Sequence, residues 1–136
     1  MSPEKIAFIV AICFVSLSLL IFIIQRLPKK LKKEKFKRKW RDLQSKCADQ
    51  DKWREAITEA DDLLASALKK RRIKGSTMGE RMVEAQRIFS DNDAVWFGHK
   101  LRTRIDANPE LKLQKEDVKR ALMGIGQGLK DLGAFK

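Results

Sequence analysis

The chain has 136 residues, 35% of them charged, no tyrosine and a net charge of +12, which makes it short, basic and long enough for at most one modest domain. The charge is local: residues 1–25 are neutral, residues 26–46 carry eleven basic side chains against two acidic ones, and residues 47–136 carry eighteen against fifteen. One histidine and two widely separated cysteines make no recognisable ligand set, so neither a metal nor a cofactor is expected.

Residues 6–24, IAFIVAICFVSLSLLIFII, are nineteen uncharged and mostly apolar residues. As a helix they reach about 28 Å, close to a hydrocarbon core of about 30 Å, and predict a membrane span. A signal peptide would want a positive leading region, a shorter apolar stretch and a small-residue cleavage site, whereas a neutral head leads here and QRLPKKLKK follows. The Lys/Arg excess after the span directs the N-terminus outward and the remainder into the cytoplasm. Cys13 falls in the span and Cys47 beyond it, so no internal disulfide is expected.

Pro28 is expected to end or kink the span at the interface. The basic run that follows places Phe36, Trp40 and Leu43 on one helical side among lysines, predicting an amphipathic connector. Its bland role is a topology signal on a solvated helix. A sharper one is attachment to anionic lipids, and nucleic acid competes for the same side chains.

The segment DQDKWREAITEADDLLASALKKRR repeats apolar residues at three-and-four spacing from Trp53 to Leu68, a helix burying one face. Asp49 and Asp51 suit its start, and Lys69 to Arg72 complement its C-terminal dipole. Gly75 stops it. Thr77 and Glu80 then form a capping box for a helix running to about Phe89 and burying Met82, Ala85, Ile88 and Phe89. Ser90 or Asp91 caps a fourth helix, with Ala94, Gly98, Leu101 and Ile105 on one side and His99, Arg102 and Asp106 on the adjacent one. Leu113 and Val118 suggest a hydrophobic staple opening the last helix, which runs to Gly133. Gly124, Gly126 and Gly128 lie inside it at a combined cost of roughly 2 to 3 kcal/mol relative to alanine. They do not match a dinucleotide fingerprint, since no strand precedes them; close approach of a neighbouring helix, a kink or a partner surface would account for them. No segment alternates with the period of a strand.

These elements predict an all-α chain in three parts: an N-terminal transmembrane anchor (residues 1–27), a basic amphipathic juxtamembrane connector (28–47) and a small four-helix bundle (48–136). Trp53, Trp96 and Phe89 are expected to be buried anchors of the bundle.

The order KWREAITEADDLL, GSTMGERM, VWFGHKLRTRI and LKDLGAF resembles a group of uncharacterised small bacterial proteins with one membrane span and a cytoplasmic four-helix domain. That domain in turn resembles the HEPN helical superfamily. The resemblance covers about residues 50–135 and the anchor. It implies an arginine followed four to six residues later by a histidine, the pair that cleaves RNA in HEPN ribonucleases. Arg102 matches the arginine, but the histidine position falls on Ala107, next to Asn108. His99 precedes Arg102 on the same helix and does not replace a downstream residue. General acid–base cleavage needs an imidazole that titrates near neutral pH, so no catalytic residue is assigned.

The expected protein is therefore a single-pass protein of the inner (cytoplasmic) membrane, N-terminus out, acting by binding or scaffolding a protein partner and not as an enzyme. His99, Arg102 and Arg104 are the candidates for contact with a partner or a phosphate. Arg26, Lys29, Lys30, Lys32, Lys33, Lys35, Lys37, Arg38, Lys39 and Arg41 are the candidates for lipid head-group contact. One alternative is a membrane-tethered HEPN-type ribonuclease or toxin-like module. Another is a subunit of a larger membrane complex, which requires an apolar, unfilled face around the three glycines.

Overall fold

A computed structural model gives the structure of residues 2–26 and 31–135, the Arg26 side chain excepted; Pro28, the expected end of the span, lies outside these residues. Every regular element among the described residues is helical. Helix α1, Pro3–Arg26, is apolar all round, and its hydrophobic side chains are exposed, Phe14 by 72%. It is long and apolar enough to cross a membrane.

Five helices follow: α2 (Lys33–Lys46), α3 (Trp53–Lys70), α4 (Met78–Glu84), α5 (Asn92–Ala107) and α6 (Lys115–Asp131). Helix α3 is central and packs against α2, α5 and α6. Its buried stripe, Ala56, Ile57, Ala60, Leu63, Leu64, Ala67 and Leu68, follows the sequence periodicity. Asp49 does not cap α3 itself. Its carboxylate accepts from the Asp51 N–H and opens a 3-10 turn, Gln50–Lys52, that leads into the helix.

Residue 47 is not a packing boundary. Phe36 and Leu43 of α2 are buried in the same core as Leu64, Leu68 and Leu129, so the expected connector is a structural helix of the domain. The reason is the width of its apolar stripe: Phe36, Trp40 and Leu43 need a partner surface, and α3 supplies it. Lys46 locks the end of α2 to α3 through Glu55 (2.7 Å) and Glu59 (2.6 Å). The Glu55 and then the Glu59 hydrogen bond raise the Lys46 ammonium above its ordinary value.

The Thr77–Glu80 capping box opens α4. That helix stops at Glu84, short of Phe89, and continues as a 3-10 turn, Ala85–Arg87. Met82, Ala85 and Phe89 are buried while Ile88 is only partly so. Asp91 caps α5 by accepting from the Ala94 N–H. The buried face of α5 is Val95, Gly98, Leu101 and Ile105, and Ala94, partly buried, lies against Gly124 of α6. Leu113 packs beside buried Val118 at the entry to α6.

The glycines of α6 answer to two different neighbours. A Cβ on Gly124 would fall 2.2 Å from the Ala94 carbonyl oxygen, and one on Gly128 3.0 Å from Val95, so these two admit α5 to close contact. Gly98 reciprocates from α5, where a Cβ would meet Ile125 at 2.6 Å. Gly126 faces the Trp40 ring of α2, 2.8 Å from a hypothetical Cβ. Close helix approach thus returns much of what glycine forfeits in helix propensity.

Candidate functional site

Helix α3 presents a carboxylate where its apolar stripe calls for a hydrophobic residue. Asp61 lies one helical turn from Ile57 and from Leu64, and is 4% exposed. A buried carboxylate demands a cation or several donors. Helix α5 provides them at a spacing of one turn: His99 Nδ1 stands 3.1 Å from each Asp61 oxygen, and Arg102 Nη1 stands 3.3 Å from Oδ2.

Arg102 is engaged on every side. Its Nη1 also donates to Asp62 at 2.8 Å and to the Thr58 carbonyl at 3.4 Å, and its Nε donates to Asp106 at 2.7 Å. Burial alone disfavours the guanidinium charge, but the Asp62 and Asp106 hydrogen bonds outweigh it and raise Arg102 above its ordinary value. The Arg102 side chain is four-fifths covered and works as a clasp between α3 and α5. Trp96 stands edge-on to His99, ring centroids 6.0 Å apart, and covers the imidazole from the preceding turn. His99 Nε2 has no hydrogen bond within the described residues.

Of the three expected contact residues, His99 and Arg102 come together on Asp61, while Arg104 is exposed and outside the cluster. Asp61 was missed. Its signal was present in EADDLL, where an acid occupies a core-facing position one turn after Ile57, and the only histidine of the chain lies one turn from an arginine elsewhere. Three carboxylates (Asp61, Asp62 and Asp106) surround one guanidinium and one imidazole, so the cluster is acidic in sum.

Of the expected head-group residues, Lys29, Lys30 and the Arg26 side chain lie outside the described residues. Lys32, Lys33, Lys35, Arg38, Lys39 and Arg41 are exposed, and Lys37 is partly covered, 4.0 Å from Glu34.

The expected burial of the tryptophans requires correction: Trp53 and Trp96 are half-buried, whereas Phe89 is buried. Trp53 begins α3, and its indole N–H donates to the Cys47 carbonyl at 2.8 Å, which keeps the ring at the edge where a polar partner exists. Trp40, Trp53, Leu122 and Met123 line an open groove of about 410 Å³ beside Gly126, with Lys115 and Lys119 at its rim. The face around the other two glycines is filled by α5. Cys13 and Cys47 are free thiols, and burial raises the Cys47 thiol. Among the described residues no cluster of three or more His, Cys, Asp or Glu side chains is placed to hold a metal ion. No protein-family model, curated protein or solved structure matches the chain.

Proposed function

We propose that the chain is a single-pass protein of the inner membrane, N-terminus out, whose cytoplasmic helical domain binds or scaffolds a partner and does not catalyse a reaction. The observation that carries this reading is the engagement of Arg102 by Asp61, Asp62 and Asp106. A ribonuclease needs a cation free to meet the scissile phosphate, and an incoming phosphate would meet the net negative charge of these three carboxylates. The charge asymmetry around residues 6–24 supports the orientation.

One observation favours a second reading. The imidazole of His99 is oriented by a buried carboxylate through Nδ1, and among the described residues its Nε2 has no hydrogen bond, the relation in which histidine serves as a base in hydrolases. A HEPN-like nuclease would then use His99 upstream of Arg102.

Two measurements decide. A C-terminal tag should survive protease added to intact cells or spheroplasts and be lost after lysis; loss before lysis refutes the orientation. Full-length protein purified in mild detergent should leave RNA intact with and without divalent metal. Cleavage that persists through purification and vanishes in both His99→Ala and Arg102→Ala would establish the nuclease instead.

A further inference from the structure

We propose that Lys32, Lys35, Lys39 and Lys70 form one cationic platform, built jointly by α2 and the C-terminal end of α3, that binds anionic lipid head groups and seats this end of the bundle on the membrane surface. The inference rests on the anchored arrangement proposed above and extends it with a residue, Lys70, far beyond the juxtamembrane run.

Lys35 and Lys39 lie one turn apart on the same line of α2, and Lys32 stands at the N-cap just before them. Phe36 lies on the next line with its ring buried, and Lys70 Nζ stands 5.4 Å from that ring's centroid. The packing of α2 on α3 therefore carries a fourth ammonium to the row. All four residues are exposed. Among the described residues none of the four has a carboxylate within ion-pairing distance, in contrast to Lys46 with its two glutamates. Glu34 projects from another side of α2 and pairs with Lys37. Partial desolvation, and after it the charges of Lys35, Lys39 and Lys32, lower the Lys70 ammonium from its ordinary value, so folding concentrates positive charge here without neutralising it.

Connectivity selects a membrane over nucleic acid. Leu31, buried in the same core as Phe36, is five Cα steps from Arg26, a span that cannot exceed roughly 18 Å. With α1 in a bilayer, the platform is held beside the head groups at high effective concentration. Lysines there lie within reach of the attraction of an anionic leaflet, which decays over about 8 to 10 Å at physiological salt.

The test uses the full-length chain in lipid nanodiscs of phosphatidylcholine alone or with about three-tenths phosphatidylglycerol, with lysine acetylation rates read residue by residue by peptide mass spectrometry. In discs containing phosphatidylglycerol, acetylation of the four lysines should slow at least about threefold and recover when salt is raised from roughly 0.05 to 0.5 M. Lys112 is the internal control. Arg54, near the start of α3, donates to the Leu111 carbonyl, and Lys70 lies roughly 24 Å further along that helix. Lys112 should therefore not respond. In Lys70→Gln, with an unchanged circular dichroism spectrum, protection of Lys32, Lys35 and Lys39 should weaken.

Co-elution with the disc but no selective protection overturns the platform alone, as does equal protection in phosphatidylcholine. Stronger protection by a single-stranded RNA oligonucleotide than by phosphatidylglycerol would assign the platform to nucleic acid. Failure to co-elute with the disc would refute the anchor, and the platform with it.

Discussion

His99 Nδ1 lies 3.1 Å from both oxygens of Asp61, so the only imidazole of the chain shares a buried carboxylate with Arg102 across the α3–α5 interface. Removing the acid leaves His99 Nδ1 without its partner and takes from Arg102 the buried one of its three carboxylates, while removing the imidazole leaves the acid its guanidinium. Asp61→Ala should therefore destabilise the domain by about 2 to 3 kcal/mol, below the range for fully buried pairs because His99 and Arg102 each keep about a fifth of their side-chain surface in solvent. His99→Ala should cost about 1 kcal/mol. Urea unfolding of the detergent-solubilised protein, followed by tryptophan fluorescence, gives both values. Equal losses would show that Arg102 does not support Asp61 alone.

Gly124 and Gly126 lie two residues apart on α6 but should respond differently to alanine. At Gly124 the new methyl would meet Ala94 backbone atoms at 2.2 and 2.6 Å, and the helices must separate; we expect a loss of at least about 3 kcal/mol. At Gly126 it would meet the Trp40 ring, a side chain able to turn, and the gain in helix propensity of about 1 kcal/mol offsets most of the strain. A thermal melt in which Gly124→Ala matches the parent would place α5 and α6 further apart than described.

Arg72 follows α3 in the left-handed region, at φ 57°, with its N–H donating to the Lys69 carbonyl and the Ile73 N–H donating to the Leu68 carbonyl. This helix ending favours glycine, as Gly133 shows after α6 at φ 84°. Arg72 is exposed, so Arg72→Gly removes backbone strain without uncovering core and should stabilise by about 0.5 to 1 kcal/mol. A lower melting temperature for the variant would show that the arginine side chain contributes more than its backbone forfeits.

Asp131 ties α6 to the start of α5 by accepting from the Ser90 N–H and hydroxyl, both at 2.8 Å. Burial pushes its carboxyl up, but the Ser90 and Gln127 hydrogen bonds prevail and lower it from the usual aspartate value. A lowered folded-state pKa contributes stability above the ordinary carboxylate range, and that stability is lost as pH falls through the lowered value. Asp131→Asn should cost no more than about 1 kcal/mol near pH 7 and converge on the parent in acid, toward pH 3 and below. A gap that stays constant across this range would assign the effect to shape and not to charge.

The helices were legible from the sequence because their determinants are local. The period of Ile57, Ala60, Leu64 and Leu68, the Thr77–Glu80 capping box and the uninterrupted apolar run before Gln25 act within a few residues of chain. The glycines of α6 could be read as points of close approach, but not which neighbour approached. Only the tertiary structure shows α5 against Gly124 and Gly128 and the Trp40 ring against Gly126. It also makes α2 part of the core, half-buries Trp53 and Trp96, and joins His99 and Arg102 to Asp61 across about forty positions of sequence. Periodicity states which side of a helix seeks burial; it carries no term for the partner, and a buried carboxylate acquires its meaning only from the cation that folding brings to it.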